Sequence, residues 1–360
     1  MTGPILIAAG GTGGHMFPAM ALGRALVGRG WPVALLTDRR GARYVGTELP
    51  FTVIHAGSPS GSLGARLRGL MELARGLLDC LLALRRIRPV AAAAFGGYAS
   101  VPTALAAAAN RVPLLVHEQN AVFGRANRLT ARFARTVALS FDRTADVPSR
   151  SRLRQVMTGN PTRREFSRLP AAGGTPGRFH LLVLGGSQGA RIFSDVLPLA
   201  LRLLPPALRS QLDVAQQCRP EDLDRVADSY TCSGIQPELA SFFTDVPERM
   251  ARADLVITRS GASTVAELLA LGRPSLLVPY HAAADDHQTA NAQALADAGA
   301  AVLVPQPAFT AERLTHELAA LMQAPERLAA MSRHAHDLAR PDAVDRLLDA
   351  VLALTGEARP

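Results

Sequence analysis

Two stretches of this chain are built alike, and they limit its fold more than any other feature. Residues 5–9 (ILIAA) are an apolar run ending in Gly10-Gly11-Thr12-Gly13-Gly14, and a helical pattern follows over residues 18–27. Residues 181–184 (LLVL) repeat the design, ending in Gly185-Gly186-Ser187-Gln188-Gly189 before another helical pattern. A short apolar run reads as a strand covered on both faces. A strand, a glycine-rich turn and a helix together open a doubly wound parallel sheet. Two such openings in 360 residues predict an α/β chain of two Rossmann-like domains facing across a cleft.

Further units follow the same rule. Residues 32–37, 90–95, 112–117 and 136–139 read as strands of the first domain, with a long helix over 70–86. In the second domain, residues 255–258, 275–279 and 301–304 read as strands and 286–298 as a helix. The Pro-, Gly- and Ala-rich segment 168–178 reads as a linker, giving domains 1–163 and 164–340. A final amphipathic pattern within 341–357 is free to pack on either domain, and the first is the expected place.

Composition narrows the class. Apolar residues make up 48% but aromatics only 5%, so both cores must be aliphatic. The three cysteines follow no metal-ligand spacing and are odd in number, which fits free thiols in a reducing cytoplasm. No basic segment precedes the first apolar run, so it reads as a strand and not as a signal peptide. The uncharged stretch 89–110 is broken by Gly96-Gly97 and Pro102, against a membrane span. Charge is split: residues 1–160 carry 20 Arg against 7 acids, while 161–360 carry 19 Arg against 23 acids. A basic half calls for an anionic partner, whether phosphate, acidic lipid or nucleic acid.

The motifs favour phosphate. GGTGGH (Gly10–His15) stands where a strand ends and a helix begins, where free amides attract an anion. A dinucleotide fingerprint would need glycine where Met16 stands, although Asp38 lies where such an enzyme places its ribose acid. His15 at that turn suits a general base, or a plain helix-start residue. GGSQGAR offers Ser187 and its neighbours to a phosphate oxygen, or is only a tight turn. Ser260-Gly261-Ala262-Ser263-Thr264 opens another helix, with Glu267 one turn in, suited to a ribose diol or to simple capping. In PYHAAADDHQTANAQ, the adjacent Asp286, His287 and Gln288 point in different directions, so neither metal nor other cofactor is expected. Gln288 and Asn291, three apart, suit sugar hydroxyls.

GGTGGH, FGGYAS, HEQNA, GNPTR, GGSQGA, RSGAST-x-x-E and DDHQ-x-x-N occur in this order over nearly the whole chain. In these motifs the sequence resembles the MurG family, peptidoglycan N-acetylglucosaminyltransferases of the GT-B structural class. The resemblance implies transfer of GlcNAc from UDP-GlcNAc to the C4 hydroxyl of MurNAc-pentapeptide-pyrophosphoryl-undecaprenol (lipid I), giving lipid II. It implies donor contacts from Arg163, Ser187, the run Ala262, Ser263, Thr264, Val265, Ala266 and Glu267, then Gln288 and Asn291, with a backbone contact to uracil at Phe243. Thr12, Gly13, Gly14 and Asn120 would close the site from the first domain, and His15 and Tyr98 would face the acceptor. This chain reads PYHAAADD where the family commonly has a proline near His281.

An α-linked donor and a β-linked product require inversion, hence one base and no covalent intermediate. His15 is the candidate base, with Glu118 the competing carboxylate, and the motif that carries His15 suits the acceptor pyrophosphate equally well. Residues 66–88, Leu-rich and flanked by Arg66 and Arg88, read as a basic amphipathic stretch. That stretch either lies on the anionic cytoplasmic face of the inner membrane or packs as an ordinary helix. Nucleic acid is not expected. The competing readings are a GT-B transferase with another lipid acceptor, a UDP-GlcNAc epimerase, and a non-catalytic NAD- or nucleotide-sugar-binding module.

Overall fold

The computed structural model describes residues 3–57, 62–169, 177–186, 189–231 and 233–356. The chain divides into two compact units, residues 1–163 with 340–360, and residues 164–339.

The first unit holds a seven-stranded sheet of β1 (Ile5–Ala8), β2 (Val33–Thr37), β3 (Phe51–Val53), β4 (Ala91–Ala94), β5 (Leu114–Glu118), β6 (Thr136–Leu139) and β7 (Arg154–Met157). The order is β3-β2-β1-β4-β5-β6-β7 and every pairing is parallel. Alternation along the strands builds two cores. Ile5, Ile7, Leu35, Ala91, Ala93 and Leu115 lie with Met16, Met20 and Leu22 of the helix Gly13–Gly28. Leu6, Leu36, Ala92, Ala94, Leu114 and Val116 lie with Cys80 and Leu84 of the helix Leu63–Ile87 and with Ala104 and Ala107 of the helix Ser100–Ala109. The terminal helix Ala343–Leu352 completes the first of these cores with Leu347, Leu348 and Val351.

The second unit holds β8 (Phe179–Leu184), β9 (Leu212–Gln217), β10 (Glu238–Ala240), β11 (Leu255–Thr258), β12 (Ser275–Leu277) and β13 (Ala301–Leu303). Their order is β10-β9-β8-β11-β12-β13, again all parallel. Phe193, Leu197 and Leu201 of the helix Arg191–Leu203 and Leu314 and Leu318 of the helix Ala311–Met322 cover one face. In both sheets the strand order turns at the first strand, β1 or β8. Loops leaving the carboxyl ends of the strands on either side of that turn diverge and leave a crevice, which is where such sheets bind ligands.

The structure extends the sequence reading in several places. The long helix begins at Leu63 instead of 70, because the Ser62 hydroxyl accepts from the Ala65 amide (3.4 Å) and caps it. Strands β3, β7, β9 and β10 escape a search for apolar runs. The first and second of these are polar or exposed, β9 alternates as LDVAQQ, and β10 has three residues. Of the expected linker, residues 170–176 lie outside the described residues. Among the described residues no helix is long and apolar enough to cross a membrane.

Candidate functional site

The turn after β1 runs into the helix Gly13–Gly28, and Thr12 occupies the capping position without a side-chain cap. The Gly13 and Gly14 amides fall in the first turn, where a helix offers no acceptor of its own, and no acidic side chain stands there. The His15 and Met16 amides both donate to the Thr12 carbonyl, each at 3.1 Å. Asp38 is buried at the end of β2, and its Oδ1 accepts from the amides of Gly11 (3.0 Å) and Gly41 (2.7 Å). The carboxylate that would have to receive a ribose diol in a dinucleotide enzyme is therefore occupied with its own loops. That disfavours the NAD reading.

His15 is half-buried, and its Nδ1 lies 3.2 Å from Gln119 Oε1. Gln119 follows β5 and is almost fully buried; its Nε2 donates to the Phe95 carbonyl (2.9 Å) and approaches His117 Nδ1 (3.1 Å). His117 Nε2 in turn meets the Gly159 carbonyl at 3.1 Å. Burial of the His117 ring pushes its pKa down to about 4, so the ring is neutral at physiological pH. Two glycines let this cluster close. A Cβ on Gly96 (φ 90°) would stand 3.1 Å from the His15 ring, and one on Gly97 (φ 74°) would stand 2.6 Å from the Gly10 carbonyl oxygen.

Glu118, the competing base, has another employment. Its Oε1 accepts from the Asn120 amide (3.0 Å) and Asn120 Nδ2 (3.1 Å), and its Oε2 from the Gly124 amide (2.9 Å) and Asn127 Nδ2 (2.7 Å). Four donors fill a carboxylate's acceptor capacity, and the residue is 1% exposed. Glu118 thus shapes the loop that carries Asn120, and it is not placed to take a substrate proton. Tyr98 is half-buried beside Gly97. The Arg163 guanidinium lies 5.2 Å from the Phe17 ring centroid.

In the second unit Ser187 lies outside the described residues. The Gly185 amide next to it donates to Gln217 Oε1 (3.1 Å). The helix Ala262–Ala270 starts after Gly261, which brings no side chain to cap it. The first helix hydrogen bond is that of the Val265 amide to the Gly261 carbonyl (2.9 Å), so the Ala262, Ser263 and Thr264 amides lack intrahelical acceptors. Ser263, Thr264 and Ala266 are half-buried and Ala262 is buried. Val265 differs from its neighbours: its side chain is in the interior and its amide donates within the helix. Glu267 is buried near the start of the same helix.

Gln288 and Asn291 both sit on the helix His287–Asp297 but serve differently. Gln288 is half-buried; its Oε1 accepts from the Tyr280 amide (2.9 Å), and its carbonyl accepts from Ser260 Oγ (2.7 Å). Asn291 is fully buried and its Nδ2 donates to the Ser260 carbonyl (3.0 Å), so it ties this helix to the loop after β11. Before the helix, Asp285 and Asp286 take φ of 52° and 50°, an uncommon pair of left-handed residues at the loop with the unusual sequence. Phe243 is buried beneath the Arg249 guanidinium, which lies 4.2 Å from its ring centroid. Sequence reasoning passes over Arg259. Its Nη1 donates to the carbonyls of Val278 (3.0 Å) and Pro279 (3.1 Å), and it lies over the rings of Phe193 and Tyr280. Its position directly after β11, inside a quoted motif, was the available signal. Among the described residues no three His, Cys, Asp or Glu side chains gather as metal ligands.

Residues 5–139 match the glycosyltransferase family 28 N-terminal domain, and residues 180–347 match the corresponding C-terminal domain. A UDP-N-acetylglucosamine–N-acetylmuramyl-(pentapeptide) pyrophosphoryl-undecaprenol N-acetylglucosamine transferase of Paramagnetospirillum magneticum is 52% identical, over 97% of this chain and 96% of its own length. Its namesake in Rhodospirillum centenum is 48% identical over 98% and 95%. The crystal structure of Acinetobacter baumannii MurG superposes with a TM-score of 0.80 at 29% identity, covering 98% of this chain and all of that one. With two parallel-sheet units, both family domains and full-length relatives at this identity, the chain belongs to the MurG family of GT-B glycosyltransferases.

Proposed function

We propose that this chain transfers GlcNAc from UDP-GlcNAc to the C4 hydroxyl of lipid I with inversion, giving lipid II. The observation that carries the reading is the 52% identity over nearly the whole length to a relative with that transferase name. The second unit takes the donor: the uncapped amides at Ala262–Thr264 and the turn after β8 receive the diphosphate, where charge develops as UDP leaves. Glu267 receives the ribose hydroxyls, Gln288 reads the sugar, and the backbone at Phe243 meets uracil. Asn291 supports the Gln288 helix from within. The first unit takes the acceptor beside Tyr98, and His15 removes the C4 hydroxyl proton as the glycosidic bond to UDP breaks. Thr12, Gly13, Gly14, Asn120 and Arg163 complete the ligand contacts.

The first unit also lies peripherally on the cytoplasmic leaflet. The helix Leu63–Ile87 buries Gly69, Gly76, Cys80 and Leu84 on one face and leaves a second apolar face in water. Leu63, Leu67, Leu70, Met71, Leu78 and Leu82 are 54–76% exposed, with Arg66, Arg68, Arg75, Arg85 and Arg86 among them. An exposed apolar stripe edged by arginines suits an anionic bilayer that holds the prenyl acceptor. The test is transfer of radiolabelled GlcNAc from UDP-GlcNAc to a lipid I analogue. Binding of UDP-GlcNAc without transfer to that analogue would overturn the acceptor assignment.

A further inference from the structure

The mechanism names His15 as the base but not which of its nitrogens works, and a neutral imidazole has only one nitrogen with a lone pair. We propose that Gln119 is a positioning residue that locks His15 in the Nδ1-protonated form, so that Nε2 is the nitrogen presented to the acceptor hydroxyl.

The orientation of the Gln119 amide decides the matter. Its Nε2 lies 2.9 Å from the Phe95 carbonyl, which only accepts; a flipped amide would set two oxygens against each other. Nε2 has a second hydrogen, for which His117 Nδ1 stands 3.1 Å away and the His117 carbonyl 3.4 Å away. The Gly159 carbonyl, which only accepts, lies 3.1 Å from His117 Nε2 and fixes that ring's proton there, leaving Nδ1 as an acceptor. Every donor therefore finds an acceptor in one arrangement, and that arrangement leaves Gln119 Oε1 as the acceptor facing His15 Nδ1 at 3.2 Å. A lone pair on Nδ1 would face the Oε1 lone pairs instead. Burial makes the arrangement rigid, because Gln119 and His117 are closed to water that would otherwise compete for these hydrogen bonds. The low pKa of His117 agrees with a ring that stays neutral and keeps both hydrogen bonds directed. Gly96 makes space for the His15 ring, since a Cβ there would stand 3.1 Å from Nδ1. The histidine and glutamine of HEQN thereby gain a task that neither the donor contacts nor the acceptor contacts explain.

This inference rests on His15 as the base only for its catalytic consequence; the proton position is measurable independently. The full-length protein, labelled with 15N-histidine, is examined by NMR at neutral pH, with the His15 signal assigned by its loss in His15→Ala. The expected result is an unprotonated Nε2 in the native protein. Gln119→Met, similar in size but without an oxygen, shifts His15 towards the Nε2-protonated form and lowers kcat about ten- to hundredfold with the KM for UDP-GlcNAc unchanged. A native His15 protonated on Nε2 overturns the proposal, and so does an unchanged proton position in Gln119→Met. If His15→Ala retains normal turnover while the NMR result stands, the base assignment fails and the role of Gln119 in setting the proton position survives.

Discussion

The helix after the glycine turn of the first unit carries a histidine bonded to the Gln119 side chain just after β5, whereas the helix starting at Ala262 in the second unit presents bare amides behind an uncapped glycine. The two sheets share the turn of strand order at their first strand, yet in the proposed function one turn serves to move a proton and the other to receive negative charge. The charge split runs the same way, with the arginine excess in the half proposed to meet an anionic surface and most of the acids in the half proposed to take the nucleotide. Related backbone frames therefore do not imply related chemistry; what the turn is bonded to decides it.

This contrast can be broken by experiment. His15→Ala should lower kcat by roughly 10²–10⁴-fold while UDP affinity, measured calorimetrically, stays put; near-normal turnover would remove the base from the first unit. Leu347→Ala should cost about 2–5 kcal/mol of stability in the first unit alone. Trp31, the single tryptophan, packs against that core, so its fluorescence in a urea titration reports the first unit; an unmoved midpoint would detach the terminal helix from it. His117 adds a pH signature. Its folded pKa of about 4 lies below the ordinary value of 6.5, so the unfolded chain binds the proton first as pH falls. Stability by the same fluorescence should decline from about pH 6.5 towards 4 by an amount on the order of 3 kcal/mol, and His117→Gln should flatten that decline. Glu267→Gln should weaken donor binding by about 1.5–3 kcal/mol with little change in kcat at saturation. Smallest of all, each exposed Arg of Leu63–Ile87 changed to Ser should weaken binding to anionic vesicles by about 1 kcal/mol at low salt and leave UDP affinity intact; unchanged vesicle binding would refute the membrane face.

Much of the frame was legible because strands covered on both faces must be apolar throughout, as in ILIA, AAAA and LLVL. Edge strands such as Phe51–Val53 and Arg154–Met157 are free of that demand and left no run to find. At the site, the glycine turns and His15 stood out because anion binding at a helix start needs particular residues there. Glu118 did not declare itself, since its partners are set by a loop that folds back from residues 124 and 127. Gln288 and Asn291 looked equivalent at a spacing of three, but that spacing leaves about 60° between them, enough to bury one and not the other.

The helix Ala343–Leu352 belongs to the core of the unit that is synthesised first, although the whole of the second unit precedes it in the chain. On the ribosome, the first sheet must wait with the faces of the helix Gly13–Gly28, β4 and β6 that the last helix packs on partly uncovered until it emerges, while the second unit has its entire sequence in hand and can fold ahead of it. The order of folding should therefore run against the order of translation. A chain halted after residue 339 would hold a finished second unit behind an unfinished first unit with an apolar face open to chaperones.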